Sequence, residues 1–515
     1  MGLYNKESGL SAAKKSLGAA CFYYAIQVAM NLAYRVILVQ YFSVVYLGLD
    51  GLFANILTLL SLAELGVTEP IINRLYKPFK KQDGLAIRKY LTYYKTVYRY
   101  IFSVILFLGL VICPYIELFI KDISQVPTEI NVYVLFLFFL FQTASTYLFA
   151  HYQSVLMVDR RQYTLHCMNT VVCLLRFAMQ IFIVIYFGEY LLVVLVGIIV
   201  NILSNYAISR YVRYRYADFF LGNETLDKDI QKEILRDSRR VLVHRIGYKI
   251  LIATDNIIIS SFIGIWEVGL YSNYSLIVMY LYNLVNQLLG SLLGIVGNVV
   301  ASSQEDYMYD VYKKLSFGCF WLTGTITVLL YTFLNPFILI WLGGQYCVAD
   351  DTIVLLCIYF FISAIRIVPN IFVGVSHLFT RDVLRPVAQV IVNLVLSIVL
   401  VKRLGINGVI LGSIACIVLT VFWREPYLLY KELFKKSFYL YWERLLQFAI
   451  WIIILSCGAG LAVKKNSVDS VLSLCCLGMC VFVLTQVVLI FVFKNAMEFS
   501  YYKDRILSVV NKERL

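Results

Sequence analysis

Five cations stand where cations are costly. Arg35, Arg176 and Arg366 fall inside long apolar runs, and Arg245 and Lys249 sit one turn apart near the end of another. A charge at bilayer depth is read as functional by default. Guanidinium stays charged in a dry site and grips phosphate oxygens through two parallel hydrogen bonds. Several embedded cations therefore suggest a polyanionic headgroup as ligand. Arg245 and Lys249 have a second reading, because both can snorkel to anionic lipid. Neutral polar residues fall in rows as well. Tyr24, Gln27, Asn31 and Arg35 follow one another at steps of three, four and four, so they share one helical face. Tyr280, Asn283, Gln287, Ser291 and Asn298 form a similar row further on. Amides and hydroxyls suit sugar hydroxyls, and tyrosine rings can stack on sugar faces. Helix–helix hydrogen bonding is the alternative use of such rows. Among carboxylates, Glu64 and Glu69 lie near a helix end beside Arg74 and Lys77, which predicts structural ion pairs there. Asp255 alone reads as clearly embedded. His151 reads as a structural hydrogen bonder, with proton carriage as the rival role.

The elements that carry these residues follow from apolar length. The chain has 515 residues, 61% hydrophobic and only 15% charged, a balance that excludes a soluble domain and predicts an all-α polytopic membrane protein. Apolar runs place about fourteen spans, at 17–41, 47–69, 90–113, 130–156, 163–187, 190–211, 241–264, 268–299, 314–340, 352–378, 384–402, 406–429, 443–463 and 468–493. A short turn is expected at Gly48–Gly51. The first run is too long for a signal-peptide core, so no cleavable leader is expected. The net charge of +14 sits between apolar runs, so it reports orientation and lipid contact rather than nucleic acid. Lys and Arg crowd alternate loops, which places both termini in the cytoplasm and leaves only short loops outside. Residues 212–240, 430–442 and the tail from Lys494 read as amphipathic helices on the inner leaflet, or, for 212–240, as a solvated connector. The 12 cysteines show no metal spacing and read as small buried hydrophobes.

A weak internal repeat divides the chain. Gly48-Leu49 is matched by Gly269-Leu270, Cys113-Pro114 by Asn335-Pro336, Asp159 by Asp382, and Asn169 by Asn393. The offset between copies is nearly constant and drifts upward by a single position at each landmark. Six spans per repeat is an even number, so both copies enter the membrane the same way. That implies two parallel six-helix lobes related about the membrane normal, with a cavity between them. The expected organisation is an N-lobe at 1–211, a connector at 212–240, a C-lobe at 241–430, spans thirteen and fourteen at 431–493, and a tail at 494–515. The step from Arg35 to Asp255 falls one position short of the step from Gly48 to Gly269, which places the two charges at nearly equivalent depths. They form a candidate gate pair across the pseudo-axis, with pairing inside each lobe as the alternative.

Several stretches resemble a known family. These are LGLDGLFANILTLLSLAELG with LYKP, TDNIIISSFIG with VGLYSNY, and RDVLRPVAQVIVNLVLSIVLVKRLGINGVILGS with EPYLLYK. Together they are similar to the Wzx-type polysaccharide flippases of the MOP superfamily, which also holds the MATE exporters and lipid II flippases. The resemblance implies a MATE-like fold working by alternating access, with neither catalysis nor cofactor. It implies an undecaprenyl-pyrophosphate-linked oligosaccharide as substrate, moved from the inner to the outer leaflet of the bacterial plasma membrane for cell-surface polysaccharide assembly. Arg35, Arg176, Arg245, Lys249 and Arg366 would then meet the pyrophosphate. Tyr24, Gln27, Asn31, Tyr280, Asn283 and Gln287 would meet the sugars. Na⁺ or H⁺ is the candidate coupling ion, and a polysaccharide polymerase is a candidate partner. A cation-coupled multidrug exporter of the same superfamily is the rival reading. An enzyme would be expected to carry a large outer loop, and a major-facilitator transporter a Gly–Asp–Arg–Gly signature that the loop NRLYKPFKKQDG lacks.

Overall fold

The computed structural model describes residues 9–512 except 65, 221, 223, 303, 377, 379–383 and 466–469. For some helical residues, Arg245 among them, only the backbone is described. Asp382, used above for the repeat, lies outside the described residues. Every regular element described is helical. In lipid a helix satisfies its own backbone, which is why apolar runs of this length become helices. Ten are long and apolar enough to cross a bilayer, or twelve if each sharply bent pair counts as one span.

The chain forms two compact units, Met1–Gly269 and Leu270–Leu515. The first holds α1 (Gly9–Tyr41), α2 (Val44–Leu60), α3 (Thr68–Lys81), α4 (Gly84–Ile112), α5 (Val132–Tyr147), α6 (Ala150–Val158), α7 (Gln162–Phe187), α8 (Tyr190–Arg215) and α9 (Lys228–Phe262). α1 packs along α7, α7 on α8, and α2 on α9. α5 and α6 are one span broken at Leu148–Phe149 and bent by 42°. α2, at 17 residues, and α9, with its charged first turns, take the second and seventh expected places.

Two local expectations are corrected. No turn interrupts Gly48–Gly51. The hairpin turns at Phe42–Ser43, where the Ser43 hydroxyl caps α2 by accepting from the Val45 N–H at 3.3 Å. A serine cap outweighs two glycines that cost a buried helix little. Residues 228–240 are not a separate surface helix either: they are the first turns of α9 itself. Those turns carry carboxylates that the sequence did not connect with Arg74. Arg74 binds Asp237 at 2.7 Å and Glu233 at 3.6 Å, both on α9, and this ties α3 to it.

Gly48 and Gly269 mark a close crossing within this unit. A side chain on Gly48 would strike the Ile265 carbonyl, and one on Gly269 would strike the Val44 carbonyl. The contact is reciprocal, since the step from Val44 to Ile265 equals the step from Gly48 to Gly269. Small residues let helix backbones approach in this way.

The second unit holds most of α10 (Ile265–Gly290), then α11 (Leu293–Ser302), α12 (Glu305–Trp341), α13 (Asp350–Ala364), α14 (Ile367–Val375), α15 (Arg385–Leu404), α16 (Ile406–Ile417), α17 (Arg424–Leu428), α18 (Tyr439–Lys465), α19 (Val471–Phe493) and α20 (Met497–Lys512). The order of the first unit recurs. α2 begins at Val44 and α10 at Ile265, while α4 begins at Gly84 and α12 at Glu305, so one offset relates both pairs. The span formed by α13 and α14 breaks at Ile365–Arg366, as its counterpart does at Leu148–Phe149.

α18 and α19 both pack on α12. Phe448 stacks on Phe493 with centroids 4.3 Å apart and on Phe320 at 5.0 Å. Gln486 of α19 accepts from the Trp321 indole at 2.7 Å and donates to Thr325 at 3.0 Å. Gln486→Leu should cost about 0.6 kcal/mol, the average for such interhelical bonds in lipid, visible as a small drop in detergent melting temperature. An unchanged melting point would mean the bonds are idle. The tail from Lys494 does form a helix, α20, and one face of it docks on protein. Tyr502 donates to the Lys314 carbonyl at 3.0 Å, and Arg444 binds Glu498 at 2.8 Å. Six cysteines, Cys21, Cys167, Cys457, Cys475, Cys476 and Cys480, are exposed on their helices rather than buried. Thiols tolerate lipid as well as they tolerate a core, so burial does not follow from apolarity here.

Candidate functional site

The first unit encloses a polar cavity of about 140 Å³ lined by Asn31, Tyr34, Asp50, Gln142, Arg176 and Gln180. A second cavity of about 440 Å³ is lined by Thr58, Ser61, Glu64, Thr146, Asn201 and Lys249. Phe139 and Gln142 line both, so the two adjoin through one wall.

Each lining group is placed by a helix contact. The packing of α1 on α7 brings Asn31 and Tyr34 to Arg176. α2 presents Asp50, Thr58 and Ser61 on one face at helical spacing. Asp50 accepts a hydrogen bond from the Tyr190 hydroxyl at the start of α8, and the Arg35 charge acts on it as well. The Tyr46 and Tyr190 rings meet edge to face at 4.6 Å and hold that phenol in place. Gln180 donates to the Val193 carbonyl at 3.4 Å, close against Gly197. Glu64 accepts from Tyr98 at 3.1 Å. Among the described residues no carboxylate comes within ion-pair distance of Arg176. The cavity thus offers a guanidinium, three amides, a phenol and, bonded to Tyr190, the Asp50 carboxylate; the guanidinium and amides can bind anionic and hydroxyl-bearing groups.

The second unit holds its own buried charge cluster. Arg366 grips Glu425 through both ends of the carboxylate, Nη2 to Oε1 at 2.9 Å and Nε to Oε2 at 3.2 Å. Arg385 adds a bond to Oε1 at 3.3 Å. The Glu425 side chain is 1% exposed. Arg366 stands at the break between α13 and α14, and Glu425 sits in α17 between two widened π-type turns, 418–422 and 429–433. Such bulges re-aim side chains and concentrate at functional sites.

The structure therefore gathers Asn31, Arg35 and Arg176 of the expected set into one neighbourhood, with Lys249 at the adjoining cavity. Tyr24 and Gln27 lie on α1, half-buried, outside the lining of both cavities. Tyr280 and Asn283 are half-buried on α10, and Gln287 is exposed. The Arg245 side chain lies outside the described residues. Asp255 is buried, and its helix packs on α2, so it belongs to the same compact unit as Arg35. The carboxylate reading needs enlarging: Asp50 and Glu425 are embedded too. Asp50 was hidden by the expected turn at Gly48–Gly51. Read as helix, Asp50, Thr58 and Ser61 share one polar edge that would have found it. His151 is 3% exposed, and neither ring nitrogen has a hydrogen-bond partner among the described residues, contrary to the structural bond expected for it.

No protein-family description matches this sequence, and no curated protein matches it either. Solved structures do match in fold. The lipid II flippase MurJ, in an inward closed conformation, aligns over 93% of this chain and 99% of its own at TM-score 0.68 and 14% identity. An inward-facing multidrug resistance MATE transporter of the MOP superfamily aligns over 76% of this chain and 92% of its own at 0.58 and 15%. A MATE transporter of Vibrio cholerae, solved as a variant, aligns over 84% and 99% at 0.51 and 13%. The chain is a multi-pass membrane protein with the fold these transporters share.

Proposed function

We propose that this protein is a flippase that moves an undecaprenyl-pyrophosphate-linked oligosaccharide repeat unit from the inner to the outer leaflet of the bacterial plasma membrane, by alternating access, for surface polysaccharide assembly. The observation that carries this reading is Arg176, a deep guanidinium without an ion-pair partner among the described residues, in a cavity it shares with three amides, a phenol and the Asp50 carboxylate, which Tyr190 holds. A drug exporter handling organic cations would gain nothing from it. Arg35 and Arg176 take the pyrophosphate in the smaller cavity, and Lys249, with Arg245 one turn before it, takes it at the larger. Asn31, Gln142 and Gln180 bind sugar hydroxyls, joined by Tyr24, Gln27, Tyr280, Asn283 and Gln287. Arg366 joins the pyrophosphate set when the phosphate displaces Glu425. Arg35 and Asp255 act as a gate pair, and Asp50 competes with Asp255 for the same guanidinium. The inside-negative potential assists outward movement of the anion by about 2.3 kcal/mol per charge per 100 mV.

One observation keeps the rival alive. Asp50, a half-buried carboxylate bonded to Tyr190, is the kind of group a cation-coupled multidrug exporter uses. Deleting the gene in its host separates the two. Lipid-linked repeat units should accumulate on the inner leaflet by mass analysis, while unchanged glycans with altered drug tolerance would establish the exporter. Arg176→Ala should abolish export at normal protein level, and Arg176→Lys should restore only part of it because the planar fork is lost. Normal export by the Ala variant would make Arg176 structural.

A further inference from the structure

A second cationic cluster stands apart from both cavities. Lys95 and Arg99 are one turn apart on α4, Arg213 is in the last turn of α8, and α6 packs between these two helices. The charges of Lys95, Arg213 and Arg99 all reach the His151 ring on α6. Arg213 is held in place: its Nε donates to the Tyr152 hydroxyl at 2.7 Å, and its guanidinium lies 4.9 Å from that ring. Tyr152 in turn packs against His151 with ring centroids 4.0 Å apart. Among the described residues no carboxylate pairs with Lys95, Arg99 or Arg213. Three gathered cations without a counter-charge repel one another, so the arrangement lacks an anion. The buried His151 beneath them lacks a hydrogen-bond partner for either ring nitrogen among the described residues.

The surroundings say what kind of anion fits. Below Arg99 the exposed face of α4 continues as Tyr100, Val104, Phe107, Leu108 and Val111. The exposed face of α8 runs through Ile199, Leu203 and Tyr206 to Arg213 and Tyr214. Tyr100 is 70% exposed and Tyr214 90%. Apolar stripes that end in tyrosine and then in Lys or Arg mark the passage from hydrocarbon to headgroup level. A free phosphate would use the cations and ignore the stripes. A phospholipid uses both.

We propose that Lys95, Arg99 and Arg213, floored by His151, form a site for the phosphate of an anionic membrane lipid whose acyl chains lie along the exposed stripes of α4 and α8. The site is separate from the transport cavities and holds for any cargo. Lys95 and Arg99 present point and fork donors from one helix turn, and Arg213 is pre-oriented by Tyr152, so little side-chain freedom is lost on binding. The test uses the purified full chain, delipidated in detergent, with phosphatidylglycerol, phosphatidylcholine of the same chain length, or inorganic phosphate, read by native mass spectrometry. Phosphatidylglycerol adducts should persist in the wild type, and Lys95→Gln with Arg99→Gln should weaken them about tenfold or more. Neither side chain has an ion-pair partner among the described residues, so this double variant should fold, and equal phosphatidylcholine retention would report that it does. Arg213→Gln should act in the same direction through a different helix. Undiminished phosphatidylglycerol binding by both variants would overturn the proposal. Displacement of the lipid by inorganic phosphate at matched concentration would overturn the lipid assignment and leave a free-phosphate site.

Discussion

Glu425→Ala should destabilise the protein by about 3–5 kcal/mol, the range for breaking one side of a buried ion pair. The substitution leaves Arg366 and Arg385 facing each other without the carboxylate that both bind. Glu425→Gln should fall between, since it keeps an acceptor oxygen but no charge. Thermal unfolding in detergent, followed by size-exclusion chromatography, would show it. A Glu425→Ala protein that melts with the wild type would mean that the pair is not closed in solution. The opposite experiment separates stability from transport. Replacing Arg366, Glu425 and Arg385 together by apolar residues of similar volume should recover most of the lost stability, because such swaps of whole buried ion clusters are often neutral or better. If Arg366 serves the cargo phosphate, that stable triple variant should still fail to export. Export by the triple variant would confine the cluster to folding.

Gly48→Val should lower the yield of folded protein sharply, and Gly269→Val should do the same. Each new side chain would meet a backbone carbonyl, Ile265 in one case and Val44 in the other. Backbone cannot rotate away as a side chain can, so the cost exceeds the roughly 1–3 kcal/mol typical of overpacked cores. Gly478→Ala is the control: nothing lies near its added methyl group, so it should be neutral or slightly stabilising. Comparing monodisperse yield across these variants checks the crossing. Wild-type yield for Gly48→Val would show that α2 and the start of α10 stand further apart.

The lipid-facing cluster predicts a different phenotype from either. Lys95 and Arg99 are not part of the buried network, so their loss should spare folding and change only which lipids travel with the protein.

Span order was legible in the sequence because a bilayer acts on each segment locally, although among the described residues ten to twelve helices, not fourteen, are long and apolar enough to cross it. A run of apolar residues must become a helix of bilayer length whatever its neighbours do. The repeat was legible for a related reason: α2 and α10, and α4 and α12, start at the same offset, so copied elements kept their spacing. The cost of burying charge also pointed to Arg35, Arg176 and Arg366 without any structure. Tertiary structure alone decided what those charges face. Arg366 meets Glu425 from a distant part of the chain, and Arg176 meets no carboxylate among the described residues. Glu425 falls inside the span expected at 406–429 with nothing in the sequence to single it out, and in the structure it meets Arg366 from a short helix flanked by two π-type turns. Asp50 looked like a loop residue until the Ser43 cap moved the turn and set it in α2, half-buried, beside Tyr190. Hydropathy is a property of one helix against its solvent, whereas pairing belongs to the crossing of two helices, and a single chain read in order does not contain that geometry.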